Sequence, residues 1–119
     1  MEIGVKYATM IVKDMDESIG FYKDVMGFEI DSQYHPAPGL VITLMKGKGE
    51  SMVELIKNDV NDVGFYSVGM EVDDMDSALE HFRSKGVKIT GEPAPTLVGH
   101  VAFIEDPNGV RLALIHHHD

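Results

Sequence analysis

The carboxylate at position 54 is the side chain of this sequence with the clearest capacity for chemistry. Glu54 interrupts the apolar run Met52-Val53-Glu54-Leu55-Ile56, so a charged group is aimed into mostly apolar surroundings. Desolvation in such a place raises the pKa of a carboxyl group and suits it to act as a general base or as a counter-ion for a cationic ligand. The alternative is a structural carboxylate, hydrogen-bonded to Tyr7 or Thr43, that takes no part in chemistry.

A histidine and an arginine are two further candidates. His100 suits a base or a ligand group, and the alternative is a partly exposed strand histidine without a role. Arg111 anchors an anionic substrate in one interpretation and forms an ordinary ion pair with Glu54 or Glu71 in the other. The chain contains no cysteine, which excludes disulfides, cysteine-based zinc sites and thiol nucleophiles.

The length and charge of the chain exclude several other classes of function. Its 119 residues suit a single domain, and 10 basic against 20 acidic residues give a formal net charge of −10. This negative balance argues against binding to nucleic acid or to an anionic membrane surface. No apolar run approaches the length of a spanning helix and no signal peptide is visible, so we expect a cytoplasmic protein.

The two halves of the sequence repeat one pattern. Residues 10–16 (Met-Ile-Val-Lys-Asp-Met-Asp) match residues 70–76 (Met-Glu-Val-Asp-Asp-Met-Asp) at an offset of 60. Further along, Glu54-Leu55-Ile56 matches Ala113-Leu114-Ile115 at an offset of 59. Because one spacing persists over most of a half-chain, we interpret the sequence as two copies of one module.

Each copy predicts the same order of elements: a strand, a helix and three strands. Alternating, β-rich residues indicate the strands, and the helical spacing of apolar residues that follows an aspartate cap indicates the helices. Predicted strands cover residues 7–12, 28–34, 40–46, 52–57, 65–72, 87–90, 99–105 and 110–115, and predicted helices cover residues 18–26 and 75–85. The sequence therefore predicts an α+β fold in one domain of residues 1–119, with βαβββ modules at 1–60 and 61–119.

Two stretches carry a resemblance to a known family. They are residues 12–22 (Val-Lys-Asp-Met-Asp-Glu-Ser-Ile-Gly-Phe-Tyr), followed by Gly27-Phe28, and residues 103–109 (Phe-Ile-Glu-Asp-Pro-Asn-Gly). With the paired modules, they resemble the vicinal oxygen chelate superfamily of glyoxalase I, bleomycin-resistance proteins, extradiol dioxygenases and fosfomycin-resistance enzymes. The resemblance implies a half-open barrel with both helices outside, a small-molecule ligand in the cavity between the sheets, and a homodimer.

In glyoxalase-type members of that superfamily, four side chains hold a divalent metal, one from the first and one from the last strand of each module. The resemblance places Tyr7, Glu54, Ser67 and Ala113 at these four positions. Nickel, zinc and iron ions take imidazole and carboxylate ligands, so only Glu54 is a conventional donor. We therefore predict no cofactor, and no metal at the usual site.

Strand alternation selects the side chains that face the predicted cavity. An ordinary hairpin at residues 106–109 places residue 102 opposite residue 113 and residue 100 opposite residue 115, which puts His100 on the cavity face. By the repeat, Thr43 shares that face with Glu54. Phe103 is an aromatic residue available for stacking on a ligand. The predicted ligand-binding residues are Tyr7, Thr9, Ser67, Glu71, Phe103 and Arg111.

Two functions follow as alternatives. The first is a glyoxalase/bleomycin-resistance-like protein that binds a small organic molecule, or acts on it without the usual metal, and whose acidic charge favours cationic ligands. The second is a metal-dependent glyoxalase I-type lyase or isomerase, similar to lactoylglutathione lyase, with a rearranged ligand set of Glu54, Glu71 and His100. The metal content of the purified protein distinguishes the two.

Overall fold

The computed structural model describes residues 2–118. The chain divides into two compact units. One is Tyr7–Tyr66, and the other joins the N-terminal residues through Lys6 to the chain from Ser67 onward. The elements in chain order are β1 (Ile3–Ile11), α1 (Met15–Gly20) continued by a π-helical segment (Phe21–Val25), β2 (Glu29–Ala37), β3 (Leu40–Lys46), β4 (Met52–Lys57), β5 (Gly64–Val72), α2 (Met75–Ser84), β6 (Lys88–Pro95), β7 (Gly99–Glu105) and β8 (Arg111–His117).

Both units have the same strand order. In the first, the strands lie in the order β2-β3-β4-β1, and in the second they lie in the order β6-β7-β8-β5. The first and last strands of each module pair in parallel, and the other neighbours pair antiparallel. The prediction of an α+β chain built from two βαβββ modules is therefore confirmed. No helix among the described residues is long and apolar enough to cross a bilayer.

An aspartate starts each helix. The side chain of Asp14 accepts a hydrogen bond from the backbone N–H of Glu17 at 3.1 Å, and the side chain of Asp74 accepts one from Asp76 at 3.2 Å. These bonds satisfy N–H groups that have no partner inside the helix, so both helices begin at the following methionine. The first helix therefore begins at Met15, three residues before the predicted start at Ser18.

The π-helical segment accounts for the change of offset in the repeat. The first module contains one more residue than the second between the methionine that starts its helix and the glycine that follows it, Gly27 against Gly86. Wide-turn hydrogen bonds accommodate the extra residue, from Met26 N–H to the Phe21 carbonyl at 3.2 Å and from Phe28 N–H to the Tyr22 carbonyl at 2.8 Å. The second helix has no such insertion, and it is regular to Ser84.

Each helix covers one face of its own four strands, which we call the helix face. In the first unit it carries a cluster of Val12, Met45 and Leu55, and Met10 packs against this cluster. In the second unit the cluster comprises Val72, Met75, Ala78, Leu79, Ala102, Ile104 and Leu114. The residues that alternate with these lie on the opposite face, which we call the far face.

The hairpin between β7 and β8 differs by one residue from the prediction. Asp106 N–H bonds to the Val110 carbonyl and Gly109 N–H to the Asp106 carbonyl, both at 3.0 Å, and Gly109 has a φ of 81°. This is a three-residue loop that ends in a left-handed glycine, not the two-residue loop of an ordinary hairpin. The extra residue pairs Phe103, and not Ala102, with Ala113.

This change of register exchanges the faces of every residue in β7. Ala102 and Ile104 pack on the helix face, and His100 lies opposite His116 on that same face. The prediction that His100 shares a face with Ala113 is therefore wrong. Val101, Phe103 and Glu105 occupy the far face instead.

The first module shows the same effect. Residues 47–51 connect β3 to β4, and Lys46 pairs with Met52 across them. Leu44 therefore lies opposite Glu54, and Thr43 lies on the helix face, where its hydroxyl accepts a hydrogen bond from Gln33 Nε2 at 2.9 Å. The prediction that Thr43 accompanies Glu54 is wrong.

A Pro-Ala-Pro sequence lies at the end of the outer strand of each unit. Pro36-Ala37 ends β2, beyond its predicted end at Tyr34, with Pro38 directly after it, and Pro93-Ala94-Pro95 ends β6. Proline has no N–H to donate to a further strand, so these stretches are poor templates for pairing with another chain.

Gly99 provides a test of the β7–β8 register. It lies opposite His117, and a Cβ atom placed on it would overlap the backbone carbonyl oxygen of His116 and lie 2.8 Å from His117 Cα. Because backbone cannot move aside as a side chain can, we expect Gly99→Ala to lower the free energy of unfolding by about 1–3 kcal/mol. Urea denaturation measures this.

Gly4→Ala is the matched control, since nothing lies within 4 Å of a Cβ atom at that strand position. Its effect should stay within about 0.5 kcal/mol. Equal stabilities of the two variants would contradict the close approach of β8 to Gly99.

Candidate functional site

Glu54 and Thr9 form the polar pair at the centre of the first unit's far face. The parallel register of β1 and β4 places them opposite one another, and Thr9 Oγ1 donates a hydrogen bond to Glu54 Oε1 at 2.7 Å. The sequence placed both residues on one face but named Tyr7 or Thr43 as the partner of Glu54. Thr43 is excluded because it lies on the helix face.

The surroundings of this pair are mostly apolar. Tyr7 and Ile11 flank Thr9 on β1 and are buried, as is Leu44 opposite Glu54 on β3. Glu54 itself is only partly buried. Burial raises the pKa of the Glu54 carboxyl above its ordinary value of 4.5, and the hydrogen bond from Thr9 partly offsets this effect. The Glu54 carboxyl therefore stands among mostly apolar side chains with its pKa above the ordinary value.

The corresponding place in the second unit has no polar pair. Gly69 on β5 lies opposite Ala113 on β8, in the register that joins Thr9 to Glu54. Phe103 lies across from Ala113 on the next strand and packs closely over Gly91, where a Cβ atom would lie 3.1 Å from its ring. Ser67 is buried on the same face. At this place the far face therefore carries small residues and one aromatic ring.

The remaining predicted site residues also belong to the second unit. Glu71 forms an ion pair with Lys6, with Oε2 3.0 Å from Nζ, and its side chain is half exposed. Arg111 is the exposed first residue of β8, paired in register with Glu105. The ring of His100 lies edge-on to that of His118, with centroids 5.1 Å apart.

The four positions implied for a divalent metal do not fit one. A phenol, a hydroxyl and a methyl group stand where imidazole or carboxylate donors are needed, and only Glu54 is suitable. The rearranged set of Glu54, Glu71 and His100 is not assembled, because Glu71 and His100 lie on opposite faces of the second unit's strands. Within residues 2–118 no three His, Asp or Glu side chains are arranged to hold a metal ion.

An open cleft of about 780 Å³ in the second unit was not foreseen from the sequence. It lies where the start of β1 meets the ends of β5 and β8, and it is lined by Glu2, Ile3, Gly4, Glu71, Val72, Asp73, His116 and His117. Burial is the main cause that lowers the pKa of His117, and nearby Lys6 adds to it. His116 and His117, which line this cleft, belong to a run of three histidines that is visible in the sequence. Such a run does not reveal which strands surround it.

The pKa of Glu54 predicts how stability depends on pH. Because the folded-state pKa is raised, the stabilising contribution is complete below the ordinary value of 4.5 and is lost as the pH rises through the folded-state pKa. Glu54→Gln stays neutral and retains an oxygen that accepts from Thr9. We expect it to exceed the wild type in free energy of unfolding at neutral pH, with a smaller difference below pH 4.5. Urea denaturation at both pH values measures this.

Glu92→Gln is the control, since it removes an exposed carboxylate that pairs with Arg83 at the surface. A stability difference between Glu54→Gln and the wild type that does not change with pH would contradict the raised pKa of Glu54.

Comparison with known proteins identifies relatives over nearly the whole chain. A family model described as the Glyoxalase/Bleomycin resistance protein/Dioxygenase superfamily matches residues 4–114. A probable lactoylglutathione lyase of Synechocystis is 34% identical, covering 90% of this chain and 91% of its own. The lactoylglutathione lyase of Haemophilus influenzae is 28% identical, with 93% and 90% covered.

Solved structures share the fold at lower identity. A hypothetical protein of Bacillus halodurans C-125 superimposes with a TM-score of 0.86 at 18% identity, covering 100% of this chain and 97% of that one. A methylmalonyl-CoA epimerase of Mycobacterium tuberculosis gives a TM-score of 0.82 at 20% identity, with 98% and 89% covered. Together with the two βαβββ modules, the family match shows that this chain belongs to the glyoxalase/bleomycin resistance protein/dioxygenase superfamily.

Proposed function

We propose that this chain binds a small organic molecule without the divalent metal of its glyoxalase-type relatives, and that the Glu54 carboxyl is the group that contacts the ligand. One observation carries the proposal. A carboxyl with a raised pKa stands among Tyr7, Ile11 and Leu44 on the far face of the first unit, hydrogen-bonded to Thr9. The other implied metal positions offer no imidazole or carboxylate.

The chemistry of this carboxyl limits the kind of ligand. In its neutral form it donates a hydrogen bond to a carbonyl or hydroxyl oxygen, and in its charged form it accepts a proton or pairs with a cation. The apolar side chains around it favour a ligand that is mainly hydrocarbon with one polar group near Glu54. A compound of this kind needs no metal in order to contact the carboxyl.

A second function is favoured by the names of the relatives. Both curated relatives described above are lactoylglutathione lyases, and their similarity covers about nine-tenths of this chain. A metal-dependent lyase of this type needs donors from other residues, because Tyr7, Ser67 and Ala113 do not provide them. The donor chemistry therefore favours the metal-free proposal.

Ligand screening by thermal shift tests the role of Glu54. A compound present at about 100 times its Kd stabilises the folded state by about 2.7 kcal/mol, which raises Tm by several degrees for a chain of this length. We expect compounds that stabilise the wild type to lose most of this effect with Glu54→Gln, because the amide neither pairs with a cation nor exchanges a proton, and its N–H is a weaker hydrogen-bond donor than a carboxyl O–H. Glu92→Gln should respond as the wild type does. Compounds that stabilise Glu54→Gln and the wild type equally would refute the proposal.

Metal analysis decides between the two functions. The protein is purified without chelator, with alanine in place of His116, His117 and His118 so that the terminal histidines retain no adventitious ion. We expect far less than one equivalent of nickel, zinc or iron by mass spectrometry, and no lactoylglutathione lyase activity on addition of these ions. One equivalent of tightly bound metal together with activity would favour the second function.

A further inference from the structure

We propose that Thr9 is a positioning residue for Glu54: by engaging Oε1, it directs the other carboxyl oxygen, Oε2, toward the ligand. The inference rests on the proposed contact between Glu54 and the ligand. A glutamate side chain has three rotatable bonds, and its two oxygens are chemically equivalent until a neighbour distinguishes them. The hydrogen bond from Thr9 makes this distinction.

The side chain of Thr9, which donates this hydrogen bond, has little freedom to move. Thr9 is 2% exposed, and the β-branched side chain of threonine has few accessible rotamers. Its strand pairs directly with that of Glu54, so the hydroxyl meets the carboxyl across one step of the parallel ladder. The separation of 2.7 Å is typical of a short hydrogen bond from a hydroxyl to a carboxyl oxygen. Thr9 therefore restricts the carboxyl plane as well as satisfying one of its oxygens.

The chemistry of the bond indicates which oxygen reacts. The Thr9 hydroxyl can donate to Oε1 when the carboxyl is charged, and it can also do so when the carboxyl is neutral with its proton on Oε2. A proton on Oε1 would force Thr9 to turn its own hydrogen away. The oxygen that Thr9 does not engage is therefore the one suited to exchange a proton or a hydrogen bond with a ligand.

The repeat within the chain supplies an independent argument. The second module has Gly69 and Ala113 at the positions of Thr9 and Glu54, in the same parallel register. The module that lacks the carboxyl therefore also lacks the hydroxyl. Thr43, a second buried threonine in the first unit, bonds to Gln33 on the other face. A buried threonine in this unit is therefore not always hydrogen-bonded to a carboxylate. The Thr9 hydroxyl and the Glu54 carboxyl thus occur together in the first module and are both missing at the corresponding positions of the second.

Infrared spectroscopy of the whole chain tests the inference without a ligand. The C=O stretching band of protonated Glu54 is identified as the band that disappears in Glu54→Gln. We expect this band to move to higher frequency in Thr9→Val, which keeps the shape of threonine but donates no hydrogen bond, and to return to the wild-type position in Thr9→Ser. Thr43→Val is the matched control, since it removes a buried hydroxyl that is bonded elsewhere.

A Thr9 hydroxyl that does not engage the Glu54 carbonyl oxygen would alter stability without moving the band. A Glu54 band at the wild-type position in Thr9→Val, or a Thr9→Ser band displaced like that of Thr9→Val, would overturn the inference. If Thr9→Val does not fold, Thr9→Ala against Thr9→Ser makes the same comparison. Failure of the proposed function shows itself differently, as equal stabilisation of the wild type and Glu54→Gln by every compound in the thermal-shift screen.

Discussion

The structure depends on the burial of one face of each four-stranded array beneath its own helix. Asp14 and Asp74 set where the helices begin, and the helices then cover the clusters around Leu55 and Leu114. Because side chains alternate along a strand, covering one face assigns every other residue to the far face. The polar pair of Thr9 and Glu54 is on the far face for this reason.

Strand alternation was sufficient to predict the faces of β1 and β5, but not those of β3 and β7. The faces of β3 and β7 are set by the loop that joins each of them to the next strand, and one residue more in that loop exchanges the faces. Asp106-Pro-Asn-Gly109 suits several turns, and the sequence alone does not show that Gly109 adopts a left-handed conformation in a three-residue loop. For this reason His100 and Thr43 were placed on the wrong face, whereas Glu54, on a strand fixed by its parallel partner, was placed correctly.

The repeat was the strongest signal in the sequence, and its one irregularity had a structural cause. Residues 10–16 match the second module at an offset of 60, and residues 54–56 match it at an offset of 59. The sequence therefore shows only that the first module has one residue more than the second somewhere between these two motifs. The structure locates the additional residue in the wide turn at Phe21–Val25. A helix tolerates such a turn where few side chains are buried, and Phe21, Val25 and Met26 are all exposed. The repeat register survived, so Glu54 and Ala113 occupy corresponding places.

The two modules show why a carboxyl in apolar surroundings needs a partner. Transfer of a charged carboxylate into apolar surroundings costs several kcal/mol unless it is neutralised or hydrogen-bonded. In the first module a hydrogen bond from the Thr9 hydroxyl and the raised pKa of Glu54 offset this cost. In the second module Gly69 and Ala113 occupy the corresponding positions, so the cost does not arise. A carboxyl that served only the fold would be better replaced by an apolar residue, since Met52 and Ile56 on the same face show that such residues fit this strand. The more costly arrangement in one module is the physical reason to propose that Glu54 serves binding rather than stability.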